Sequence, residues 1–113
     1  MAAIHQNFDI YAGNDAELTV TVTQDGEVMS LAECSVDWVI YDAEMEIVVE
    51  KTTTDDGGIE ITGEATGEFT ITLDAEDTIG MRGLYTHEAK VTDGSGHQVT
   101  VLTGLAIVYD AVL

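Results

Sequence analysis

Apolar residues in this chain recur at every second position, and that period leaves few choices of fold. Leu18, Val20 and Val22 alternate with Thr19 and Thr21; Val36, Trp38 and Ile40 form the inner positions of a second run, and Phe69, Ile71 and Leu73 those of a third. Successive side chains of an extended strand point to opposite faces, so a period of two marks a strand with one face buried and one face wet. Phe8 and Ile10, and later Ile59 and Ile61, keep the same beat, and Ile47-Val48-Val49 opens a strand ending near Thr52. Turn-forming clusters separate the runs: Gly13-Asn14-Asp15, Gln24-Asp25-Gly26-Glu27, Asp42-Ala43-Glu44 and Asp55-Asp56-Gly57-Gly58. Val28 to Leu31 reads as a short edge piece, and Asp74 to Thr78 as one helical turn capped by Asp74. Two long strands close the chain, Leu84 to Thr92 and His97 to Val108. Roughly seven to nine short strands with almost no helix predict an all-β sandwich or small barrel. A length of 113 residues fits one domain over 1–113, and an apolar fraction of 45% is enough for a packed core.

The final hairpin allows a register to be derived. Loops of two or four residues would set Val91 opposite Gln98, whereas the three-residue loop Gly94-Ser95-Gly96 pairs Val91 with Val99, Ala89 with Val101 and Tyr85 with Leu105. Only the last choice gathers apolar side chains on one face. A three-residue loop needs a left-handed residue at its end, and Gly96 stands there. On this register His87 faces inward beside Thr103, while Glu88 and Lys90 face out.

Charge narrows the partners. Three basic residues, Lys51, Arg82 and Lys90, stand against 22 acidic ones, for a net charge of −19. Nucleic-acid binding draws most of its strength from Lys and Arg on phosphates, and an anionic membrane surface makes the same demand, so neither is expected as a partner. So acidic a surface suits solubility or a saline environment, and secondarily a docking face for a basic partner. Cys34 is the only cysteine, which excludes an intrachain disulfide; its apolar context predicts a buried, inert thiol. The first ten residues have neither the basic start nor the apolar run of a signal peptide, and no segment approaches the ~18 apolar residues of a membrane span. Synthesis in a cytoplasm is therefore expected.

Chemistry-bearing motifs are lacking. No nucleophile elbow, zinc-binding H-E-x-x-H, phosphate-cradling glycine loop or C-x-x-C occurs in the sequence. Inward-facing His87 and loop-flanking His97 lie too far apart to share a metal; His87 is read as a hydrogen-bonded core residue, and His5 and His97 as surface residues. Paired carboxylates abound, yet glycoside hydrolysis also needs a cleft and usually aromatic platforms, and few aromatic residues are free for one. The chain is not expected to be an enzyme, and no cofactor is expected. Calcium is the one cation considered, because Asp55-Asp56 and Asp93 sit in glycine turns; neither stretch has the spacing of a calcium loop.

Gly83-Leu84-Tyr85-Thr86-His87 resembles the G-x-Y-x-C stretch of an immunoglobulin strand F, with His87 at the cysteine position. That resemblance implies an immunoglobulin-like β-sandwich, with Trp38 as the core tryptophan, Tyr85 as a corner clamp, and Phe69 and His87 in the core. A second set of motifs runs along nearly the whole chain: Gln6 to Asn14, Leu18 to Val22, Val36-Asp37-Trp38, Gly57-Gly58-Ile59, Gly67 to Leu73, Gly83 to Asp93 and Thr103-Gly104. Their order resembles the small immunoglobulin-like modules of tailed-bacteriophage virion proteins. The resemblance implies a capsid decoration or cement protein, with a tail or baseplate module as the alternative and a calcium-dependent or carbohydrate-binding adhesion module as the alternative from another class. It further implies the major capsid protein or other virion proteins as partners, a homo-oligomer (a trimer by preference), and residence in the virion.

Overall fold

The computed structural model describes residues 4–24, 26–54 and 56–110. Within them the chain is an all-β sandwich of two facing sheets, as the alternation predicts. The strands are β1 (Ile4–His5), β2 (Phe8–Tyr11), β3 (Ala16–Thr21), β4 (Thr23–Gln24), β5 (Glu27–Val28), β6 (Ser35–Tyr41), β7 (Ile47–Thr52), β8 (Ile59–Gly63), β9 (Glu68–Leu73), β10 (Gly83–Thr92) and β11 (Gln98–Tyr109), with one short helix, α1 (Ala75–Thr78). A six-stranded sheet runs β1-β11-β10-β6-β7, with β2 also on β11, and faces a three-stranded sheet in the order β3-β9-β8. The β4–β5 ribbon stands apart. This division of strands is immunoglobulin-like. It is not wholly antiparallel, since β1 and β2 both pair parallel to β11.

The inner faces meet in one core. Val36, Trp38 and Ile40 of β6 and Phe69, Ile71 and Leu73 of β9 are completely buried. Lys51 closes the open side between the sheets, its ammonium 2.7 Å from the Asp77 carboxylate of α1. Asp77 also accepts the backbone N–H of Asp74 at 2.7 Å, and Asp15 accepts that of Ala75 at 2.8 Å. Two of the unpaired donors that any helix start leaves are thus satisfied. Burial pushes the Asp77 carboxyl up, but the Lys51 and Asp74 contacts outweigh it and hold the group below the usual carboxylate range.

The final hairpin departs from the derived register at one place. Val91 pairs with Val99 across the Gly94-Ser95-Gly96 loop, but Ala89 pairs with Leu102, His87 with Gly104 and Tyr85 with Ala106. A β-bulge at Thr100–Val101 inserts one extra residue. It follows from the adjacent Val101 and Leu102, which are both completely buried and so cannot sit on a regular pleat. Beyond it, Leu102, Gly104, Ala106 and Val108 face the core, while Leu105, expected inside, turns outward and is 37% exposed.

Candidate functional site

The residues singled out from the sequence divide between the interior and a turn. Trp38 and Phe69 are fully buried and His87 is 2% exposed. Trp38 Nε1–H donates to His87 Nδ1 at 3.0 Å, and His87 Nε2 lies 2.6 Å from the carbonyl oxygen of Gln6. An indole N–H only donates and a carbonyl only accepts, so the ring is held neutral with its proton on Nε2. Burial pulls the His87 pKa down and nearby His5 adds to this, both against the raising effect of the Gln6 carbonyl. Phe8 packs edge-on to the same imidazole at 4.8 Å. Gly104 makes room for this arrangement, because a Cβ there would collide with the Gln6 carbonyl and crowd His87 Nε2. With both nitrogens occupied, His87 presents neither a base nor a ligand to solvent.

Tyr85 is half-buried, and its hydroxyl accepts the Arg82 backbone N–H at 3.3 Å, a link to the backbone just upstream. Gly96 has φ +89°, and Asp93 Oδ1 ties the loop by accepting the N–H groups of Ser95 and His97, each at 2.9 Å. Those bonds and the neighbouring His97 ring hold the Asp93 carboxyl below its ordinary range. Asp93 is therefore engaged with its own turn, and Asp55 of the other acidic turn lies outside the described residues. Among the described residues no group of three or more His, Cys, Asp and Glu is placed to hold a metal. Cys34 is half-buried rather than sealed; desolvation first, then the Asp93 and Glu33 carboxylates, push its thiol up.

The feature that sequence reasoning missed lies on the outside of the six-stranded sheet. One cross-strand row reads Ile47, Tyr41, Thr86, Leu105 from β7 to β11. The next reads Leu84, Ile107, Asp9, and the last pairs Tyr109 with Tyr11, whose rings stand 5.4 Å apart. Leu84 is 62%, Ile47 58% and Tyr11 55% exposed. Toward the other end of the same face the rows turn polar: Glu50, Val39, Glu88, Thr103, and then Asp37, Lys90, Thr100. The signal was present in the run Leu105-Ala106-Ile107-Val108-Tyr109, which is apolar on both strand faces, but an unbroken run also reads as a strand buried on both sides.

No protein-family model matches the chain, and no curated protein matches it. Among the 118 chains of solved structures that match it is CopC from Methylosinus trichosporium OB3b, aligned over 97% of this chain and 86% of its own at 22% identity and a TM-score of 0.49. So wide a set of matches describes a shared architecture, and an architecture hosts many functions.

These findings overturn the virion reading. CopC, the structure described among the matches, is not a phage module, so the capsid decoration or cement role, the tail or baseplate alternative and residence in the virion are withdrawn. The calcium-dependent or carbohydrate-binding adhesion alternative goes with them. The reason lies in the motifs, which are mostly turn glycines and inward apolar residues. Gly67, for example, has φ +70° and accepts the Val22 N–H at 2.8 Å, a local requirement of the sandwich. Such residues report how a chain turns and packs, whatever it binds.

Proposed function

We propose that this chain is a non-catalytic, protein-binding module that docks through the apolar half of the outer face of its six-stranded sheet. The carrying observation is an internal control. The outer face of the three-stranded sheet consists of Thr and Glu, with Glu17, Thr19 and Thr21 of β3 paired to Thr72, Thr70 and Glu68 of β9. This chain therefore covers one solvent-facing sheet with polar side chains and leaves half of the other apolar. Contiguous exposed apolar surface on a soluble domain marks an interaction site, and aromatic residues such as Tyr11, Tyr41 and Tyr109 are favoured in interface centres. The sealed state of His87 supports the non-catalytic part of the reading.

Photo-crosslinking residues placed at Leu84 or Tyr109, and as controls at Thr19 or Thr70, test the proposal in the native cell. Discrete protein adducts from the first pair and none from the second are expected. Equal labelling from both pairs, or none from either, would refute it.

A further inference from the structure

We infer that the partner on this face carries apolar side chains ringed by Lys or Arg, one of them opposite Asp9, and is not a second copy of the chain. The inference rests on the docking reading above and adds the chemistry of the occupant. Asp9 is an exposed carboxylate set into the apolar rows, beside Ile107 and two positions from Tyr11, the next outward residue of β2. Its only described side-chain contact is a long one, 3.4 Å from the Tyr109 hydroxyl. Any surface that covers Ile107 and Tyr109 also covers Asp9, and burying a carboxylate without a cation opposite is strongly unfavourable.

The rim makes the same demand. Asp42, Glu44 and Glu46 occupy the β6–β7 turn at this end of the sheet, and Glu88, Glu50 and Asp37 stand on its polar half. Two of the cations are paired within the chain, Lys51 with Asp77 and Arg82 with Asp110 at 3.1 Å, and Lys90 stands in register with Asp37 on the polar half of the face, away from Asp9. A second copy would bring another −19 and another rim of carboxylates to the interface. A basic rim answers both the Asp9 carboxylate and the surrounding field.

Two synthetic strand-forming peptides, one alternating Leu with Arg and one alternating Leu with Glu, are the probes, read on the isotopically labelled full chain by amide shift mapping. The Leu/Arg peptide is expected to shift residues around Leu84, Leu105, Ile107 and Tyr109. Asp9→Asn should weaken it about tenfold, and Glu60→Gln, on the polar sheet, by no more than about twofold. Thermal melting of both variants confirms that they remain folded. Equal binding of the Leu/Glu peptide, or no loss in Asp9→Asn, overturns the basic partner while the docking face stands. A concentration-dependent dimer with the same footprint overturns it in favour of a second copy. A footprint on Thr19 and Thr70, or none at all, removes the docking reading as well.

Discussion

On the three-stranded sheet the outward positions of β3, β8 and β9 are threonine and glutamate, and they bond to one another: Thr19 and Thr70 at 3.2 Å, Thr62 to Glu68 at 2.9 Å. On the six-stranded sheet the outward positions of β2, β10 and β11 include Tyr11, Leu84, Leu105 and Tyr109, all exposed. Inward, the two sheets obey one rule, because Phe69 and Trp38 fill the same core. An inward side chain is constrained by the packing that every sandwich needs, whereas an outward one is free of it. The outward positions are thus where this chain departs from what folding alone requires, and it departs on one sheet only.

The comparison assumes two sheets sharing one interior, so the largest effects should come from there. Trp38→Ala removes the largest buried side chain and orphans His87 Nδ1, and should cost ~3–5 kcal/mol in denaturant unfolding. A loss of no more than about 1 kcal/mol, well below the range for such truncations, would mean that the sheets do not meet there. Next comes Gly104→Ala, whose Cβ would push against the Gln6 backbone and pry β1 and β2 from β11, at about 1–3 kcal/mol. Gly96→Val should follow, at about 1–3 kcal/mol, with Ser95→Val well below it. Equal melting temperatures for these two variants would contradict the φ of +89° at Gly96.

A pH series separates the interior from the faces differently. The unfolded chain protonates His87 near its ordinary value of about 6.5, while the folded chain resists, because Nδ1 already accepts from Trp38 and the ring is buried. In that window the unfolded state binds more protons, so stability rises with pH. The His87 contribution is complete above about 6.5 and is lost as pH falls through the lowered folded value. The Asp77 contribution, with a depressed folded value, is present above the ordinary carboxylate range and fades at still lower pH. His87→Gln can keep one acceptor and one donor without titrating. The parent should lose stability relative to it on acidification from about pH 8 to about pH 5, roughly one and a half units on either side of the ordinary histidine value. Parallel curves would show that the imidazole is not held neutral.

How far the sequence alone reached follows the same division. The alternation of Leu18, Val20 and Val22, or of Phe69, Ile71 and Leu73, identified inward positions because burial imposes a period on them. The loop at Gly94-Ser95-Gly96 was legible because left-handed backbone selects glycine. The bulge at Thr100–Val101 was not, since Val101-Leu102 breaks the pleat by one residue and shifts every later pairing, moving Tyr85 from Leu105 to Ala106. That slip hid the exposed apolar face, because it placed Leu105 in the core. The virion reading failed for a different reason: Gly67, Gly83 and Trp38 meet requirements of the fold and carry no record of a partner.

The smallest stability effects should come from the two faces themselves, and they sharpen the contrast most. Leu84→Thr with Leu105→Thr makes the six-stranded sheet resemble the other, and Thr19→Leu with Thr70→Leu does the reverse. Neither pair touches the core, so each should change stability by no more than about 0.5 kcal/mol per site. Binding of an apolar fluorescent dye should move in opposite directions, falling in the first pair and rising in the second, because it follows exposed apolar area and not fold strength. The melting temperature decides between a docking surface and concealed core: a loss of more than about 8 °C in the first pair, near 2 kcal/mol for a chain of this size, would mean that Leu84 and Leu105 hold the sandwich together. Unchanged melting with reduced dye binding would leave them the one role that their exposure supports, contact with another surface.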